Sequence, residues 1–146
     1  AFDAYCPADV IESEGVKACA SVEELYAVSD VISLHIPATA ETKKSINADI
    51  LGLMPKGAVL VNTARKEVID EASILEFMQS RPDFDYVTDL YPGNDADMIV
   101  SVGGEYFTTP KKMGAQTAEA NINAGIAAAS QIVDFLKNGN QKFKVN

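Results

Sequence analysis

VISLHI, from Val31 to Ile36, and AVLVN, from Ala58 to Asn62, are two short β-branched runs separated by an amphipathic stretch, and that pairing decides the fold. Runs of this length and composition read as strands of a parallel sheet, and the stretch between them as the crossover such strands require. Working outward, the pattern repeats. Asp85 to Leu90 makes a third strand and Glu105 to Thr109 a fourth, ended by Pro110. Ser21 followed by Glu24 is a capping-box signature for a helix through Val28. A second helix is expected from Thr42 to Met54, stopped by Pro55 and Gly57, and a third from Asp70 to Ser80. Strand–helix–strand alternation with right-handed crossovers predicts an α/β fold, a doubly wound parallel sheet.

Beyond this unit, Gln116 to Asn138 reads as a long helix with Ile122, Ile126, Ala129, Val133 and Leu136 along one stripe and Gly139 as its C-cap. Such a stripe serves either its own domain's core or an interface with another. Residues 1–115 are expected to form one domain, with 116–146 a helix and tail that leave it. Pro92 to Gly104 is the most loop-like segment. Ala1-Phe2-Asp3-Ala4-Tyr5 reads as the end of a buried strand, so the chain is expected to be part of a longer protein.

Composition excludes several classes. With 12 Lys and Arg against 21 Asp and Glu, the chain carries a formal charge of -9, the wrong sign for gripping a phosphate backbone. No apolar run approaches the roughly 20 residues needed to span a bilayer. His35 is the single histidine, which rules out a zinc site built on imidazoles, and Cys6 and Cys19 read as two buried reduced thiols. No metal site is expected.

In an open parallel sheet, ligands bind beyond the carboxyl ends of the strands. Asp3 stands at the end of the expected first strand. An acid about 20 residues past a glycine-rich turn hydrogen-bonds adenosine ribose hydroxyls and disfavours a 2′-phosphate. That turn would have to precede residue 1. The next two strands run into His35-Ile36-Pro37-Ala38-Thr39 and Asn62-Thr63-Ala64-Arg65.

SLHIPATAETKKSIN (33–47) and LMPKGAVLVNTARKEVIDEASIL (53–75) resemble the two most recognisable blocks in the cofactor domain of the D-2-hydroxyacid dehydrogenase family, nearest to its short, lysine-type phosphoglycerate dehydrogenase branch. The likeness runs from Asp3 to about Asn138. It implies a Rossmann-like NAD-binding domain whose first strand and glycine-rich turn are missing. It implies that Arg65 grips the substrate carboxylate and polarises the keto oxygen, a task suited to a planar, permanently charged guanidinium. Asp89 would face the nicotinamide carboxamide, and Thr63, Ala64 and Gly114 would line the cofactor, with Pro37 and Thr42 on the opposite loop. His35 matches a histidine distant from hydride transfer and reads as structural; Cys6 lies near the adenine side without a role.

Two departures matter. The family's catalytic histidine after Thr-Pro is replaced by Lys111, and the acid that orients it by Asn94. The pair of changes is coherent. A lysine starts near 10.4 and must come down to act near neutrality, and an adjacent carboxylate would push it up. Neutral Asn94 removes that obstacle, and burial beside Arg65 lowers the amine further. Lys112 is a competing base, and Asp95 or Asp97 could pair with Lys111. Lys66 replaces a family glycine and adds a cation near the anionic site.

The resemblance therefore implies NAD-dependent oxidation of D-3-phosphoglycerate to 3-phosphohydroxypyruvate at the opening of serine biosynthesis, with a small anionic 2-hydroxy or 2-keto acid as substrate. It further implies a cytoplasmic homodimer, with neither nucleic acid nor membrane as partner. Residues 1–146 alone are expected to bind NAD weakly and catalyse nothing. Two other readings use the same residues: a sister dehydrogenase such as a glyoxylate/hydroxypyruvate reductase, and a non-catalytic NAD-sensing protein.

Overall fold

A computed structural model describes residues 1–90, 92–102, 106–109 and 117–144. The chain forms two units, Ala1–Lys111 and Lys112–Asn146. In the first, β1 (Val31–Leu34), β2 (Val59–Asn62), β3 (Asp85–Thr88) and β4 (Tyr106–Thr108) lie in that order, every neighbouring pair parallel. The expected α/β architecture is present. Among the described strands the spatial order is the sequence order. Strands end where side chains capture the backbone. β3 stops at Thr88 because its hydroxyl accepts the Leu90 N–H at 3.0 Å and turns the chain off the ladder.

Burial on both faces of every strand does not occur. β1 alternates exposed and buried, with Val31 63% exposed, while Ile32 and Leu34 point into the core. That core gathers Ile32, Leu34, Leu60 and Tyr86 from the strands with Leu51, Met54, Val68, Ile74, Met78 and Phe84 from the connections. Each such side chain contributes about 1.5–3 kcal/mol on leaving water.

The helices are α1 (Ala8–Ser13), α2 (Val22–Val28), α3 (Ala48–Leu51), α4 (Glu71–Ser80), α5 (Asp95–Val102) and α6 (Ala118–Asn138). At α2 the Ser21 hydroxyl accepts the Glu24 N–H at 3.1 Å, and the Glu24 carboxylate reaches back to the Ala20 N–H at 2.7 Å.

Three expectations are corrected. The helix from Thr42 to Met54 shrinks to α3. Lys44 takes a left-handed φ of 54°, Ile46 pairs in parallel with Ile69, and only then does Asn47 start a helix by accepting the Asp49 and Ile50 N–H groups. Pro92 to Gly104 is not simply a loop: α5 occupies most of it, with Asp95 and Asp97 favourably placed in the first turn and Met98 fully buried. Ala1 to Tyr5 is no buried strand. The Asp3 carboxylate accepts the Tyr5 and Cys6 N–H groups, which turns the chain, and the Ala1 backbone bonds to Lys17 and Cys19. Cys6 and Cys19 are free, as expected, though half-buried rather than buried.

The second unit is α6 and its tail. Thr117 caps the helix by accepting the Ala120 N–H, and Gly139 ends it at φ 67°, a left-handed C-cap. No α6 side chain is buried, and Ile122, Ile126, Val133 and Leu136 are all exposed. No helix among the described residues is long and apolar enough to cross a membrane.

Candidate functional site

The strand register aligns the carboxyl ends. Leu34 pairs with Asn62, Asn62 with Thr88 and Thr88 with Thr108, so the segments beginning His35, Thr63, Asp89 and Thr109 leave the sheet from one edge. The row is tied crosswise: the Thr88 hydroxyl donates to the Asn62 carbonyl at 2.8 Å, and the Thr109 N–H to the Thr88 carbonyl at 3.2 Å.

After β2 the chain turns around the fully buried Asn62 side chain. Its Oδ1 accepts the Ala64 N–H at 3.1 Å and its Nδ2 donates to the Arg65 carbonyl at 3.1 Å. Arg65 then precedes a single 3-10 turn, Lys66–Val68. The Arg65 guanidinium is exposed and donates to the Ala64 carbonyl at 2.8 Å; among the described residues it has no ion pair. Thr63 is exposed and Ala64 half-buried.

The loop after β1 packs beside this one. The Lys44 N–H donates to the Glu67 carbonyl, the Ile46 N–H to Val68 and the Asp70 N–H to Ile46, and Lys44 Nζ lies 3.2 Å from the Asp70 carboxylate. The Ser73 hydroxyl and Lys44 hold that carboxyl below its usual range. Within the loop the Thr42 hydroxyl donates to the Pro37 carbonyl at 2.5 Å and accepts the Thr39 N–H at 2.8 Å. A cleft of about 420 Å³, lined by Ala38, Thr39, Ala40, Lys43 and Glu67, opens between the two loops.

Asp89 is one residue past β3 and only 9% exposed. Its Oδ1 has no hydrogen-bond partner among the described residues. Farther along, Glu71 clamps the approach to α5: Oε1 accepts the Gly93 N–H and its backbone carbonyl accepts the Asn94 side-chain amide, each at 2.7 Å. Asp95 accepts the Tyr106 hydroxyl at 2.6 Å, while burial, reinforced by that carboxylate, pushes the hydroxyl's pKa up and keeps it a donor. Lys111, Lys112 and Gly114 lie outside the described residues. Asp3 is exposed, and His35, also exposed, shares a hydrogen bond of 2.9 Å with the Ser33 hydroxyl.

The sequence profile of the D-isomer specific 2-hydroxyacid dehydrogenase NAD-binding domain matches residues 1–101. The chain belongs to this family. It is 33% identical over 139 residues to a D-3-phosphoglycerate dehydrogenase of Methanocaldococcus jannaschii, covering 93% of this chain and 26% of that protein. It is 34% identical to chloroplastic D-3-phosphoglycerate dehydrogenase 3 of Arabidopsis thaliana, covering 92% and 23%. Among solved structures, the NAD+-bound 3-phosphoglycerate dehydrogenase of Entamoeba histolytica superposes with a TM-score of 0.79 at 42% identity, over 94% of this chain and 49% of that one. The chain thus spans about a quarter of these curated relatives.

As a 2-hydroxyacid dehydrogenase NAD-binding domain, the chain has NAD as its cofactor, and the edge can be tested against it. A nicotinamide carboxamide brings two N–H donors. The buried, unpartnered Asp89 Oδ1 is an acceptor lacking a donor, so the residues present fit. Asp3 Oδ2 has no partner among the described residues, although its neighbour Oδ1 is committed to the local turn. Sequence reasoning passed over Asn62 and Glu71. An Asn leaving a strand ahead of a turn is a local cue for the first. Glu71 reaches residues 22 and 23 positions away, a pairing that only the fold reveals.

Proposed function

We propose that this chain is the cofactor-binding part of an NAD-dependent dehydrogenase that interconverts D-3-phosphoglycerate and 3-phosphohydroxypyruvate, the opening step of serine biosynthesis. The observation that carries the reading is the meeting, at one sheet edge, of an exposed guanidinium held by a backbone-anchored loop and a buried carboxylate oxygen without a donor. The similarity to D-3-phosphoglycerate dehydrogenases supports the choice of substrate. When bound, NAD supplies the acceptor for the hydride from C2.

The chain's own residues do the rest. Arg65 holds the substrate carboxylate through two parallel hydrogen bonds and, in the keto form, polarises the C2 oxygen. Asp89 would accept an N–H of the carboxamide and so help to hold the ring when the cofactor is bound. Asp3 accepts from the adenosine ribose hydroxyls, and its charge repels a 2′-phosphate; Thr63, Ala64, Pro37 and Thr42 line the cofactor, with Gly114 a further lining residue. Lys111 takes the hydroxyl proton in oxidation and returns it in reduction, aided by the absence of charge at Asn94. The same reading makes the protein a cytoplasmic homodimer.

The test is NADH oxidation by the intact protein with 3-phosphohydroxypyruvate, beside hydroxypyruvate and glyoxylate. A preference of at least tenfold in kcat/KM for the phosphorylated acid is expected, with turnover lost in Lys111→Ala and kept in Lys112→Ala. Equal or better turnover of the other two acids would discard the pathway while keeping the dehydrogenase. Binding of NADH without any turnover would discard both.

A further inference from the structure

Arg65 has an exposed, flexible side chain, so its aim depends on the backbone that carries it. That backbone is held on both sides by one side chain. Asn62 Oδ1 accepts the N–H of Ala64, Nδ2 donates to the carbonyl of Arg65, and the Ala64 carbonyl in turn receives the guanidinium at 2.8 Å. Asn62 is itself fixed. It is completely buried, Nδ2 also lies 3.4 Å from the Tyr86 hydroxyl, and the Thr88 hydroxyl bonds its backbone carbonyl.

We propose that Asn62 is a positioning residue for substrate binding, orienting Arg65 by clamping the peptide groups on either side of it. Few side chains meet the requirement. The position needs one acceptor and two donors at the reach of a single methylene: Asp lacks the donor, Gln is a methylene too long, and Leu has neither group. The inference rests on the proposed role of Arg65 as carboxylate holder. Because misplacement by about 1 Å can cost on the order of 100-fold, freeing this loop acts on the keto acid first.

In the intact protein, Asn62→Leu is expected to raise KM for 3-phosphohydroxypyruvate at least tenfold, and by at least five times the change in NADH affinity read from fluorescence titration. Leu60→Ala, a cavity on the same strand, provides a comparison that lowers stability without touching the loop, and is expected to leave both constants within twofold. Asn62→Asp covers the case in which Asn62→Leu does not fold. Its KM is expected to fall toward wild type as the pH is lowered and a neutral carboxyl regains a donor. Equal KM shifts in Asn62→Leu and Leu60→Ala would overturn the proposal, as would an Asn62→Asp protein whose KM is that of wild type at neutral pH. Arg65→Ala with an unchanged keto-acid KM would overturn the role of Arg65 and this inference with it, whereas a raised KM in Arg65→Ala beside an inert Asn62 would sink this inference alone.

Discussion

Asp89→Ala should strengthen the cofactor-free protein while weakening its hold on NADH. In the folded chain, Asp89 is 9% exposed and its Oδ1 has no partner among the described residues. A buried acceptor left unmade carries a desolvation cost of about 1–3 kcal/mol. Truncation removes that oxygen and leaves a void of a few heavy atoms, whose lost contacts return part of the gain. The net expectation is a cofactor-free protein more stable by about 1 kcal/mol, which for a chain of this size corresponds to roughly 2–4 °C in Tm. With NADH the sign reverses. A hydrogen bond to a charged group contributes about 1.5–3 kcal/mol, so Kd should rise roughly 10- to 150-fold. Thermal unfolding without cofactor and fluorescence titration with NADH measure the two arms. A lower Tm in Asp89→Ala would show that the carboxylate already holds the fold together, and would refute the argument that it awaits a donor.

Two further outcomes concern contacts made by the connecting segments. A Cβ at Gly93 would stand 2.7 Å from Glu71 Oε2, whose partner oxygen accepts the Gly93 N–H; Gly93→Ala should therefore cost about 0.5–1.5 kcal/mol in urea unfolding, and most of that cost should vanish in a Glu71→Ala background. The Asp83 carboxyl is held well below the usual carboxylate range, first by Arg81 and then by the Gly57 N–H. A depressed folded value means stabilisation that is present above the ordinary value near 3.9 and lost as pH falls below it; Asp83→Asn should flatten the acid limb of the stability curve, and an unchanged limb would exclude the latch as its source.

Much of the fold was legible because its signals are local. Ser21 and Gly139 each satisfy a helix end within their own segments, so the start of α2 and the end of α6 sit where those residues stand. The misread segments are those in which distant partners overrule local periodicity. Thr42 to Met54 has the spacing of one helix, yet Ile46 is drawn away by Ile69 and the helix cannot begin until Asn47. Likewise Pro92 and Gly93 advertise a loop, while Glu71 gathers that loop in so that α5 can start at once behind it.

The candidate site obeys the same division. Arg65 and Asp89 are visible as residue types in a motif, but what each contributes depends on burial, which the motif does not encode. Among the described residues the buried polar side chains are Asn62, Thr88 and Asp89, and all three stand at the carboxyl ends of β2 and β3. Burying a polar group carries a desolvation cost unless it is hydrogen-bonded, so each of the three is to be judged by what it bonds. Asn62 and Thr88 spend their hydrogen bonds on the backbones of the loops that leave the edge, which fixes those loops. Asp89 Oδ1 has no such backbone partner. The edge therefore holds two satisfied groups that set loop positions and, in Asp89 Oδ1, a buried acceptor open to a donor.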